Sequence, residues 1–409
     1  MNKKTERKDK KNLLIVNLHL WPDRSSCSAI IFHIANSFTN LFCKVSVIAS
    51  RPKRFNSEFN KFQLKQIDNK TDLNIYRLPL IKEDFNPIPR IFNAFALGIF
   101  SSIKIIFGKF KLVIATSSPP ILTAFIIAIA SKIKGIRFIY YCMDINPEIG
   151  LLSGDFRNKI LNNFMLKIDK YTCTQASPII VHSKSMARTL QKRFKKKKLD
   201  IKIINSLSVP SKINREIKES KYQKKNKGLK IIYAGNIGRF QDLENIILTF
   251  KYLKQHKDIE LTFLGDGVEK YRLEKLSKEL KANIKFKDYV SYEVSKKIIK
   301  EADLGLVSLM PNMYKYAYPS KTMVYLEQGI PILALVEKKS DLAKKITQKS
   351  IGFVHSQNNH KSLADFLIKL NNESSWKINF KKACLDTFKS DFSDEVILEK
   401  WRSVINKMF

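Results

Sequence analysis

Apolar residues in this chain fall into short β-rich runs that alternate with longer stretches of helical spacing. The runs are "NLLIVNLHL" (12–20), "KVSVIAS" (44–50), "LNIYRLP" (73–79), "KLVIATS" (111–117) and "RFIYYCMD" (137–144). Between them lie helix-period patterns such as "AIIFHIANSFTNLF", "IPRIFNAFALGIFSSIKIIFGKF" and "PPILTAFIIAIASKIKG". After "PIIVHSKSMARTLQKRF" and "IKIINSLSV", residues 210–229 turn polar and charged with little apolar periodicity, as expected of a linker. The alternation then restarts with predicted strands "KIIYAGN", "IELTFLGD", "IKFKDYV", "LGLVSLM" and "PILALV". Helical patterns separate these strands, and terminal helices follow them. Strand and helix alternating twice over predicts an α/β protein of two Rossmann-like domains facing across a cleft. The expected divisions are an N-terminal Rossmann-like domain (1–208), a linker (209–229), a C-terminal Rossmann-like domain (230–385) and a C-terminal helix (386–409). In such sheets ligands bind beyond the carboxyl ends of the strands.

Composition changes this picture in one respect. Lys and Arg number 74 against 37 Asp and Glu, a net charge of +37. That field favours anionic partners, namely nucleic acid, an acidic membrane leaflet or phosphorylated substrates. The excess is mostly Lys spread along a chain rich in Asn and Ile, which is equally a compositional habit. The five cysteines (Cys27, Cys43, Cys142, Cys173, Cys384) are far apart and show no C-x-x-C spacing, so neither a zinc site nor a disulfide framework is indicated. The basic start is followed by too short an apolar run for a signal peptide. The uncharged run 112–131 approaches membrane-spanning length, but two serines and two prolines divide it into a strand, a turn and a helix.

Two glycines within "YAGNIGRFQDLENI" need a reason in a chain with only 13. Gly235 and Gly238 let the backbone turn and approach a ligand closely. A helix beginning near Gln241 or Asp242 would aim its N–H groups into the same space, and Arg239 supplies a planar fork that matches phosphate oxygens. The loop "LGDGVEKY" (264–271) has Gly-x-Gly, but Lys270 stands where a dinucleotide fingerprint needs a third glycine. In "AYPSKTMVYLEQGIPILA" (317–334), Ser320 and Lys321 open a third helix. The three loops together point to a diphosphate site.

These stretches resemble the nucleotide-binding half of retaining family-4 glycosyltransferases of the GT-B fold, and in particular bacterial surface-polysaccharide enzymes similar to L-fucosamine transferases. "LLIVNLHLWPD", "VIATSSPP", "YYCMDINPEIG" and "IIVHSKSMARTL" in the first half resemble the same family. The resemblance implies a donor held by Gly235, Asn236, Gly238, Arg239, Ser320 and Lys321 at its diphosphate. Gly265, Asp266, Tyr289 and Val290 would border the base, and Asp144 and Glu148 would face the sugar and acceptor. Transfer with retention would need no metal or cofactor, because the cations and helix dipole stabilise the leaving nucleoside diphosphate. The donor would be UDP-linked, the acceptor a glycan or polyprenyl-linked glycan, and the location cytoplasmic.

The chain departs from the family pattern at four places. Ser25 and Ser26 stand where a glycine pair is common, and Met143 where many relatives have His. Glu244 falls near the second cation of the phosphate pair, and Val324 replaces a ribose-binding Glu. Glu327, one turn further, is a candidate substitute for that ribose contact. A sugar-nucleotide epimerase of the same fold is the alternative, but the six histidines show no cluster. Nucleic-acid binding rests on the charge and "KRFKKKK" (192–198) alone, which lacks interleaved aromatics, so no nucleic-acid partner is expected. Residues 87–111 join Ile91, Phe92, Phe95, Ile99, Phe100, Ile103, Ile106 and Phe107 to Arg90, Lys104, Lys109 and Lys111. That make-up predicts either a core-facing helix or an interfacial one at an anionic membrane.

Overall fold

The structure is a computed structural model that describes residues 11–409 apart from 24, 53–60, 82–86, 153–157, 196, 209–227 and 374. The leader expectation at residues 1–10 lies outside the described residues, as do nearly all of the linker, Arg24 of the first loop, and Lys196 in the basic run. The side chain of Ser26 is likewise not described.

The chain forms two units, one comprising residues 1–205 with 398–409 and the other residues 206–397. The first carries seven strands, β1 (Asn12–Val16), β2 (Lys44–Ser50), β3 (Leu73–Leu78), β4 (Phe110–Thr116), β5 (Arg137–Tyr141), β6 (Ile179–Val181) and β7 (Ile201–Ile203). They pair in the order β3-β2-β1-β4-β5-β6-β7, all parallel. Strands β1 and β4 are apolar almost throughout because both faces of a parallel sheet are covered by helices. The second unit has six, β8 (Leu229–Ala234), β9 (Ile259–Leu264), β10 (Ile284–Lys287), β11 (Leu304–Ser308), β12 (Ile332–Leu335) and β13 (Gly352–His355). Their order is β10-β9-β8-β11-β12-β13, again parallel.

The strand order reverses between β1 and β4 in one sheet and between β8 and β11 in the other, and each reversal opens a crevice at the carboxyl edge. This is the two-domain α/β class read from the alternation. Strand β13 is an addition, since "GFVH" is a four-residue edge strand, half-buried throughout. Residues 386–409 are not one helix. They comprise the end of a helix (Trp376–Thr387), a π turn (Phe388–Phe392) and, beyond Ser393, a separate helix (Asp394–Asn406). Trp401 of the last helix is fully buried and meets Phe38 and Tyr141 edge-on at 6.0 and 5.1 Å, which returns the chain terminus to the first unit.

One packing contact fixes the helix that carries Lys321 (Lys321–Glu327). The Tyr325 ring is buried against Gly305 of β11, where a Cβ would stand 2.5 Å from ring carbons. Its hydroxyl accepts from Ala234 N–H at the end of β8 at 3.0 Å. Gly305→Ala is therefore expected to destabilise the second unit by about 1–3 kcal/mol, the usual cost of overpacking, seen as a lower thermal midpoint. An unchanged midpoint would show that the ring has room to move.

Candidate functional site

The second unit gathers the phosphate-type residues at the crevice between β8 and β11. Gly235 follows β8 with φ +133°, a conformation that favours glycine. A Cβ there would stand 2.9 Å from Lys321 Cε and 3.2 Å from its Nζ, so the lysine side chain lies directly across the glycine. The ammonium sits 4.6 Å from the centroid of the buried Tyr233 ring. Burial depresses its pKa from 10.5 to about 8, and among the described residues no carboxylate lies within ion-pair distance of it. Lys321 is thus a half-buried cation at the edge where ligands enter, its charged form disfavoured by burial. Ser320 precedes it as the helix N-cap, and its side chain makes no capping bond.

The other glycines answer a different need from the one expected. Gly265 has φ +146°, and a Cβ there would meet the Gly235 carbonyl oxygen at 2.2 Å. One at Gly267 would meet the Ile237 carbonyl oxygen, also at 2.2 Å. The first two loops thus interlock backbone to backbone. Ile237 N–H donates to Asp266 O at 2.8 Å, and Glu269 N–H to Ile237 O at 3.1 Å. Asp266 turns its carboxylate onto Gly267 N–H at 2.8 Å. Asn236 is exposed, and Gly238 is buried beneath Asn236 and Gln241. Tyr289 and Val290 follow β10, whose Lys287 carbonyl accepts from Gly265 N–H at 3.0 Å.

The helix expected to begin at Gln241 or Asp242 does not begin there. Arg239–Gln241 is a single 3-10 turn, Asp242 takes the left-handed conformation, and the α-helix is Glu244–Thr249. The aspartate conformation breaks the run, so the expected dipole end is displaced by a turn and Glu244 occupies its first position. Arg239 is exposed, 3.8 Å from Glu269, whose carboxylate Arg272 also holds at 2.7 Å while reaching Glu244 at 2.7 Å. Both oxygens of Glu327, the candidate for a ribose contact, are engaged within the unit. One oxygen pairs with the buried Lys296 at 2.6 Å and the other accepts from Ser208 Oγ at 2.5 Å.

In the first unit, Asp144 follows β5 and lies beside the crevice between β1 and β4. Ser117 Oγ accepts from both Met143 and Asp144 N–H at 3.1 Å and so fixes the turn. Surrounding protein desolvates the Asp144 carboxyl and raises its pKa to about 6, although the residue keeps exposed surface. Cys27 packs against Met143, with the sulfurs 3.7 Å apart, and against Asn17, which accepts from Thr116 Oγ1 at 2.6 Å. Ser25 caps the helix Ser26–Ser37 by accepting from Ser28 N–H, which gives the serine in place of glycine a local task. Glu148, paired with Asp144 in the sequence reading, has a different engagement. Arg193 binds both its oxygens, one at 3.0 Å, and also holds the buried Asp169 and the Asn146 carbonyl. Such a bidentate pair fixes the glutamate side chain and the loop that carries it. Ser117, Tyr233 and Tyr325 were absent from the sequence-derived set. Their roles come from partners distant in the chain.

Comparison with known proteins places these features. Residues 214–383 match the family model described as glycosyl transferases group 1. A probable glycosyltransferase, WbjE of Pseudomonas aeruginosa, is 28% identical over 137 residues, which is 32% of this chain and 33% of that protein. The chain thus matches about a third of the length of this curated relative. Among solved structures, Anabaena Alr3699/HepE in complex with UDP superposes with a TM-score of 0.69 at 12% identity, over 97% of this chain and 100% of its own. WaaG, a glycosyltransferase involved in lipopolysaccharide biosynthesis, gives 0.67 at 12% identity, over 96% and 98%. The two parallel-sheet units are those of the GT-B fold.

The observed ion pairs make a prediction that separates scaffold from site. Glu148→Ala and Glu327→Ala are each expected to cost about 2–3 kcal/mol in urea unfolding. That is below the roughly 3–5 kcal/mol of a fully buried pair, because both glutamates keep some solvent contact. Unaltered stability in Glu327→Ala together with lost nucleotide binding would return Glu327 to the ribose.

Proposed function

We propose that this chain is a glycosyltransferase that moves a sugar from a nucleoside-diphosphate donor to a hydroxyl of a glycan or lipid-linked acceptor in surface-polysaccharide biosynthesis. The observation that carries the reading is the desolvated Lys321 ammonium laid across Gly235 at the β8/β11 crevice, inside the segment that matches the glycosyltransferase model. A diphosphate is the anion that such a place lacks. Lys321 and Arg239 would take up the negative charge that grows on the bridging oxygen as the anomeric carbon–oxygen bond breaks. Ser320 would donate to the same group, and the exposed Asn236 and Asp266 lie on the loops beside it. The fold-level likeness to a UDP complex supports UDP as the nucleotide. Retention at the anomeric carbon, and the leaving phosphate as acceptor of the hydroxyl proton, belong to this reading. All five cysteines are free thiols, in keeping with a cytoplasmic location.

Asp144 is assigned to the sugar or acceptor. A carboxyl with a pKa near 6 exchanges a proton close to neutral pH, which suits acid–base work or a strong hydrogen bond to a hydroxyl. Glu148 is assigned to holding Arg193.

Two experiments test the reading. A panel of nucleotide sugars, scored by released nucleoside diphosphate, is expected to identify one UDP-linked donor. Arg239→Ala and Lys321→Met should each weaken UDP binding about ten- to a hundredfold, since a charge-assisted phosphate contact contributes roughly 1.5–3 kcal/mol. Folded variants that bind UDP like the native chain would remove the site. Asp144→Asn should keep UDP affinity and lose transfer by a factor of about 10² or more. Full transfer by a folded Asp144→Asn protein would strip that residue of its role.

A further inference from the structure

The helix Pro87–Phe107 is turned inside out. Its buried face carries Asn93, Ala94, Leu97, Gly98, Ser101, Ser102 and Ile105, which are mostly small or polar. Its outer face carries Ile88, Ile91, Phe92, Phe95, Ile99, Ile103 and Phe107, spaced by threes and fours and all exposed, with Ile88 at 70% and Phe107 at 85%. A helix covering a sheet in water shows the opposite pattern.

The inner face accounts for itself. Asn93 is fully buried, accepting from Ile81 N–H at 2.9 Å and donating to Ile81 O at 2.8 Å. Thr123 of the neighbouring helix (Leu122–Lys134) donates to Ala94 O at 2.8 Å, and Ile126 presses on Gly98, where a Cβ would meet its Cδ1 at 2.9 Å. Small residues and interhelical hydrogen bonds bring the two helices close. The outer face instead presents large apolar side chains to solvent among the described residues.

The neighbouring helices also carry exposed apolar residues. The Pro87–Phe107, Leu122–Lys134 and Lys159–Gln175 helices each follow a strand and cross in the same direction along the sheet, so right-handed crossovers place them in one layer. Ile133 of the second and Ile160, Leu161 and Phe164 at the start of the third are also exposed. Between Asp84 and Asp144 the chain has no carboxylate and seven cations. Among them Arg90 is exposed in the first turn of the first helix, Lys132 and Lys134 in the last turn of the second, and Lys109 and Lys111 just before and at the start of β4. Cations around an apolar face complement an anionic lipid surface, where aliphatic stems and phenyl rings reach the acyl boundary and lysines meet headgroup charge.

We propose that this three-helix face of the first unit docks on an anionic bilayer, with the outer row of the Pro87–Phe107 helix inserted at the headgroup boundary. The Pro87–Phe107 helix, although long and apolar enough over Ile88–Phe107 to cross a membrane, stays in the fold, held by Asn93 and Gly98. The proposal rests on the surface alone and needs neither donor nor acceptor.

The full chain would be floated with vesicles of phosphatidylglycerol and phosphatidylcholine at about 1:2, and with phosphatidylcholine vesicles alone. Binding to the anionic vesicles that weakens at high salt is expected, with little binding to the neutral ones. The double variant Phe92→Ser, Phe95→Ser alters only exposed positions and should lower the bound fraction at least tenfold. Lys132→Glu with Lys134→Glu should remove most of the salt-sensitive part. Unchanged circular dichroism and thermal midpoint would confirm that the variants fold. No flotation with anionic vesicles at low salt would overturn the proposal, as would flotation indifferent to the phenylalanine pair. Concentration-dependent self-association abolished by that pair, without vesicle binding, would give the face to a second copy instead. Membrane material resistant to carbonate would mean a spanning helix, and would also overturn it.

Discussion

The Lys321 ammonium pressed against Gly235 is the contact on which the proposed site depends. It requires a residue without Cβ at the end of β8, and a helix after β11 held at one height. Gly305 and Tyr325 set that height, the ring filling the space a β11 side chain would take and the hydroxyl receiving the last N–H of β8. The strand-order reversal supplies the opening into which the charge faces. Desolvation works against the ammonium in the free protein, so the fold keeps a cation in its less favourable state. In the proposed reading an anion at that edge would offset the cost, and the packing of one tyrosine would bear on the binding of a phosphate.

How much of this was legible in the sequence follows from distance along the chain. Buried parallel strands are continuous apolar runs, so "LLIV", "KVSVIAS" and "KLVIATS" stood out, whereas "GFVH" is too short and too half-buried to do so. The glycine-bearing loops were legible as places where the backbone turns closely after a strand. The partner that each glycine accommodates was not. Gly265 reads as a residue bordering a ligand, yet the backbone of the first loop stands where its side chain would be. Acidic residues were the hardest to read. Glu327 meets Lys296, 31 positions away, and Ser208, 119 away, and Glu148 meets Arg193 across 45 positions. A carboxylate next to a site looks the same in sequence whether it faces a ligand or an arginine.

The Pro87–Phe107 helix shows a related limit. Its composition fits a core helix and an interfacial helix equally, and periodicity alone identifies two faces without saying which is inward. Asn93 decides the matter, because a fully buried amide bonded to a loop backbone fixes the rotation of the whole helix. The resulting surface joins the basic balance of the chain to a specific place on the first unit, where the overall charge of +37 had named only a class of partners.

Proton uptake on binding UDP tests the central claim most directly. With its pKa near 8, Lys321 is half protonated in the free protein at that pH. A diphosphate beside it favours the charged form and raises its pKa, so binding at pH 8 draws about half a proton from the buffer. At pH 6 the lysine is already charged and uptake from it vanishes. Calorimetric titrations in buffers of different ionisation enthalpy read this number as a slope. The account predicts an uptake of about half a proton at pH 8 that disappears in Lys321→Met. UDP binding with the same proton count in the native chain and the variant would contradict it, as would no UDP binding at all.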